Sequence, residues 1–150
     1  MWHYTVRDFF AGIVRDRAIQ PSAAFAGGQA RPAVWFSTNP DWEPMAAKNL
    51  TCIDGSRRLL NRDELHTVGI TPIRVRVAPE IAPHTWHDFK RDGDLTPKVA
   101  GNIVSFATRL NSKPSCWFAT YEAVPRPQWL AVEHFDGWQW KALPEEFWMG

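Results

Sequence analysis

Trp2-His3-Tyr4-Thr5 and, one helix later, Ala33-Val34-Trp35-Phe36-Ser37 are the two segments that organise this chain. The first is short and rich in aromatic and β-branched residues, so residues 1–5 read as a strand. Thr5 stands where a helix N-cap would, and Asp8 three residues later completes a capping-box pattern. Phe9, Phe10, Ile13 and Val14 then recur at helical spacing, which predicts an amphipathic helix over 6–17. Ile19-Gln20-Pro21 ends it. Residues 21–32 hold Pro21, Ser22, Gly27, Gly28 and Pro32, the composition of a loop. Residues 33–38 are an apolar run with turn signals on both sides, as a buried strand requires.

Downstream, residues 39–50 read as a turn and a short helix around Met45 to Asn49, with Pro44 suited to its first turn. Asp54-Gly55-Ser56 marks another turn. Thr71 to Val77 alternates, with Ile73, Val75 and Val77 on one side and Arg74 and Arg76 on the other. A short helix is expected over 84–91. Thr96 caps a second clear helix with Pro97 at its first position and an apolar face of Val99, Ile103, Phe106, Ala107 and Leu110. Strands over 115–124 and 128–135 follow, with Trp138 and Trp140 on a further short strand. Helices mixed with strands that cluster late favour an α+β fold over a doubly wound sheet.

The 150 residues suit one domain, 1–150, with one core. Hydrophobic residues make up 45% and charged residues 22%, the balance of a folded globular chain. A net charge of +1 gives no global field toward nucleic acid or a membrane surface. Cys52 and Cys116 are too few for a disulfide framework and read as small buried hydrophobes. The start lacks the apolar core of a secretory signal, because Arg7 and Asp8 interrupt it, and no apolar run reaches the length of a membrane span. A cytoplasmic protein is the resulting expectation. The nine tryptophans predict a core or cleft rich in indole.

The two opening segments, with the helix between them, resemble the ADP-ribosyltransferase superfamily. The likeness is to the branch with a His, an aromatic and a variable third residue, which includes DNA-modifying toxins and RNA 2′-phosphotransferases. The resemblance implies split mixed or antiparallel sheets around an NAD cleft. It implies cleavage of the nicotinamide–ribose bond and transfer of ADP-ribose, a glycosyltransferase-class reaction, to a protein side chain, a nucleobase, an RNA 2′-phosphate or water. By it, His3 would hydrogen-bond the nicotinamide ribose and Trp35, in the slot usually held by Tyr, would wall the nicotinamide pocket. Tyr4, Thr5, Phe36 and Ser37 would border the cofactor, and Arg31 would touch its phosphate. Trp42 to Lys48 would pack against the nicotinamide pocket.

The third motif of that superfamily is usually a Glu near the start of a late strand. Pro127-Gln128-Trp129-Leu130-Ala131-Val132-Glu133 matches it with Gln128 in that position. Glutamine can position a hydroxyl but cannot offset positive charge as a carboxylate does. Glu133, five residues along the same expected strand, would face the other way. The resemblance thus assigns His3, Trp35 and Gln128 to catalysis and leaves an alternative: a weak or inactive module that binds an NAD-like ligand or a protein. Two other clusters stand apart from it. Arg57, Arg58, Arg62 and the Arg74/Arg76 face could meet phosphates of a nucleic acid. His84-x-x-His87 with Asp88 and Asp92 lacks the companions of a zinc or calcium site, so no metal is expected.

Overall fold

A computed structural model describes residues 1–150. The chain runs β1 (Trp2–Val6), α1 (Arg7–Asp16), β2 (Ala18–Ile19), β3 (Val34–Ser37), β4 (Lys48–Thr51) and β5 (Arg57–Leu60). It continues α2 (Arg62–Thr67), β6 (Pro72–Arg76), β7 (His84–Thr85), α3 (Trp86–Asp92) and α4 (Pro97–Arg109). It closes with β8 (Trp117–Thr120), β9 (Val124–Pro125), β10 (Ala131–Phe135) and β11 (Trp140–Ala142). The fold is α+β. A seven-stranded antiparallel sheet in the order β11-β10-β6-β1-β3-β8-β7 is joined by two two-stranded ribbons, β2-β9 and β4-β5.

Residues opposite one another in an antiparallel pair share a face. His3 lies opposite Val75 and Thr5 opposite Ile73, so these four face one way, toward α1. There Phe10, Ile19, Val34, Phe36, Ile73, Val75 and Val132 form the largest core cluster. Trp2, Tyr4 and Val6, opposite Arg76, Arg74 and Pro72, face the other way. On that side Val6 packs with Leu60 and Leu65 beneath the β4-β5 hairpin and α2. A third cluster, with Trp86, Phe89, Ile103, Ala107, Trp117 and Ala119, places α3 and α4 against the β3-β8 end of the sheet.

Several local expectations change. Thr5 does not cap α1: it is buried in β1, and the cap position falls to Val6, which offers no side-chain bond. Strand pairing with Ile73 claims Thr5 first. The helix expected around Met45–Asn49 is a single 3-10 turn over Pro44–Ala46, followed by β4. Hairpin pairing of Lys48–Thr51 with Arg57–Leu60 overrides the weak local helical preference. The strand expected from 128 starts at Ala131, and Arg126–Gln128 is a 3-10 turn. Cys52 and Cys116 are only half-buried. The α4 cap is as expected: Thr96 accepts from the Val99 amide at 3.2 Å, with Pro97 in the first turn.

Candidate functional site

β1 meets β6 through all five of its residues but meets β3 through one registered pair, Trp2 with Ser37. Beyond that pair the two strands part. The opening is a cavity of about 290 Å³, bordered by Trp2–Tyr4 on one strand and Ala33–Ser37 on the other. Gln20 and Ser22 border it from one side, and Trp86, Ile103 and Trp117 from the other. Both bordering strands, β1 and β3, belong to the seven-stranded sheet, so the opening is a seam within it.

The His3 imidazole bridges the seam. Its Nδ1 lies 2.9 Å from the Trp35 carbonyl oxygen, and since a carbonyl only accepts, Nδ1 carries the hydrogen. Burial, ahead of all other causes, pushes His3 down to about 4. The ring is therefore neutral at pH 7 and its Nε2 is left as an acceptor. The Phe36 ring meets the imidazole edge-on at 5.8 Å. Trp35 is clamped by Phe89 and Phe25 at centroid distances of 4.8 and 5.4 Å. Its indole Nε1 is buried without a hydrogen-bond partner. Buried donors without a partner are uncommon. Tyr4 donates to the Asn39 carbonyl at 2.6 Å, and burial pushes its phenol up to about 12, so it stays protonated.

Glu43 is the cleft residue that motif reading missed. Its carboxylate is buried and takes four hydrogen bonds. Ser37 Oγ and Asn39 Nδ2 donate to Oε1, both at 3.0 Å. The Met45 amide and Ser112 Oγ donate to Oε2 at 2.7 and 2.6 Å. Ser112 in turn accepts from Trp117 Nε1 at 3.0 Å. The carboxylate is saturated, since four is about its full acceptor capacity. It ties β3, the segment after it, and the loop between α4 and β8 into one rigid wall. No periodic signal announced this. The spacing Ser37, Asn39, Glu43 becomes legible only once the chain has turned back on itself.

Of the sequence-derived site residues, His3, Tyr4, Trp35, Phe36 and Ser37 come together at the cleft. So do Glu43, Met45, Ala46 and Lys48 from the Trp42–Lys48 segment. Three others stand elsewhere. Thr5 is sealed in the sheet. Arg31 lies over the Tyr121 ring at 3.6 Å, outside the cleft lining. Gln128 sits exposed on its 3-10 turn and does not border the cleft. Glu133 faces Arg74 and pairs with it, Arg74 Nε donating at 2.7 Å.

That pairing also changes the Arg74/Arg76 face. Arg74 is buried, and its guanidinium lies 3.8 Å over the Trp2 ring and 4.4 Å over Trp140. Its charge is met inside the molecule and is not free for an external phosphate. His84 packs on Tyr121 with centroids 4.7 Å apart, and no three His, Cys, Asp or Glu side chains converge as a metal site. No helix is long and apolar enough to cross a membrane. Comparison with protein-family models, curated proteins and solved structures returned no match.

Proposed function

We propose that the seam between β1 and β3 is an NAD cleft and that the protein is an ADP-ribosyltransferase-like enzyme. Its reaction breaks the nicotinamide–ribose bond and passes ADP-ribose to a protein or nucleic-acid acceptor. The observation that carries this reading is His3, held neutral across the seam by the Trp35 carbonyl. An imidazole with Nδ1–H engaged presents Nε2 as an acceptor, the group needed to receive a ribose hydroxyl proton donor. Trp35 supplies a flat apolar wall. A cavity of about 290 Å³ lies at the small end of ligand sites, roughly 300–1,000 Å³. On this reading a nucleoside-sized body would fill it, with the rest of the dinucleotide outside.

Rate enhancement on this reading comes from positioning and from electrostatic stabilisation of a sugar that becomes cationic. The second demand favours an alternative. Glu43, the one carboxylate in the cleft lining, has its acceptor sites filled, and Gln128 lies outside. A module that binds an NAD-like ligand or a protein with little or no turnover fits those two facts. Titrating NAD against tryptophan fluorescence and assaying nicotinamide release in the presence of cell lysate separates the readings. The enzyme reading expects saturable quenching and nicotinamide release, both lost in His3→Ala. Quenching without release establishes the binding module. No NAD binding by the folded wild type overturns the NAD cleft and the enzyme reading with it.

A further inference from the structure

We propose that Lys48 makes the cleft selective for anions: its ammonium receives a phosphate of the ligand, while the aromatic interior takes a flat ring. This deepens the NAD reading and rests on it for the identity of the ring.

Three observations carry it. Only Glu43 and Lys48 bring a formal charge to the cleft lining, His3 being neutral. The Glu43 charge is consumed by its four internal donors, which leaves Lys48 as the charge a ligand meets. Lys48 itself has no ion-pair partner within 4.0 Å and no side-chain hydrogen bond, although it is half-buried. Its Nζ lies 5.6 Å from the centre of the exposed Phe9 ring of α1, a weak cation–π contact that leaves the charge without a counter-ion. An unpaired, partly desolvated ammonium is unfavourable unless something compensates it. The β4-β5 hairpin nonetheless holds it there, with Lys48 in register with Leu60. Burial depresses the Lys48 amine, and its charge in turn helps lower His3, so it acts on the cleft interior. A compact ammonium with three donors suits a phosphate oxygen.

The test compares wild type with Lys48→Gln and Lys48→Arg in titrations of NAD, nicotinamide riboside, ADP-ribose and inorganic pyrophosphate. Wild type is expected to bind NAD more tightly than nicotinamide riboside. Lys48→Gln is expected to lose about tenfold in NAD affinity, the value of one charge-assisted hydrogen bond, with nicotinamide riboside unchanged. Lys48→Arg should retain most of the NAD affinity. Lys48→Gln should also melt close to wild type, because the amine has no ion pair or hydrogen bond to lose and only a weak contact with the Phe9 ring. Equal NAD affinity in wild type and Lys48→Gln overturns the proposal while leaving the NAD cleft standing. Lys48-dependent binding of ADP-ribose or pyrophosphate without NAD binding supports the anion site and overturns the NAD reading. Binding of none of the four overturns both.

Discussion

The two edges of β1 behave differently. Toward β6 every residue from Trp2 to Val6 is in register, and β6 carries the ladder on to β10. Toward β3 the ladder holds at Trp2 and Ser37 only. The closed edge buries Ile73, Val75 and Val132 and answers its one buried cation, Arg74, with Glu133. The open edge replaces ladder bonds with side-chain devices, the His3–Trp35 bridge and the Glu43 wall. Regular pairing leaves nothing over for a ligand. Where the pairing stops, the orphaned indole of Trp35 and the unpaired ammonium of Lys48 collect.

The largest expected effect tests whether the open edge is held as firmly as the closed one. Glu43→Ala strips the acceptor from four donors and should lower unfolding free energy by about 3 kcal/mol or more in urea titrations. A loss under about 1 kcal/mol would mean that the wall stands on packing alone. On the closed edge, Arg74→Met leaves the Glu133 carboxylate without its cation in a largely enclosed site. A loss of about 2 kcal/mol is expected by the same measurement. If this exceeds the Glu43→Ala loss, the ordering of the two edges is reversed.

A pH-dependent effect belongs to His3. Its value falls from 6.5 to about 4 on folding, so across that window the unfolded chain binds more protons. Stability from this group is complete above about 6.5 and is lost as the pH falls toward 4. The difference in Tm between wild type and His3→Gln should therefore shrink with acidification, as read by calorimetry at several pH values. A difference constant across the window would show that the imidazole titrates normally. The smallest effect concerns paired and unpaired indoles. Trp35→Phe and Trp117→Phe shed the same ring atoms, but Trp35→Phe removes an N–H that bonds nothing, so the two losses should differ by about 1 kcal/mol. Trp117→Phe breaks a bond to Ser112 and should cost more. Equal losses would place a hidden acceptor beside Trp35.

Legibility in the sequence follows the range of the interactions. Helix α4 was readable because Thr96, Pro97 and the apolar spacing that follows act within a few residues. β3 was readable for a similar reason, as a short apolar run between turns. β4 was not, because nothing in Lys48–Thr51 outweighs the helical preference of the residues before it until β5 arrives to pair. Thr5 had two local roles open to it, and a partner far along the chain, Ile73, settled which. Gln128 was placed at the site by alignment to a motif. The chain there forms a turn that leaves the side chain in solvent.

By itself the sequence determined the α+β class, the order of the main elements and the aromatic character of the Ala33–Ser37 strand, all set by propensity, capping and periodicity over short stretches. Only the tertiary structure decided that His3 is neutral, that Glu43 is spent and that Lys48 has no counter-ion. Those states depend on desolvation and on donors that the fold brings from distant parts of the chain, such as Ser112 beside Glu43. Local pattern carries no information about either.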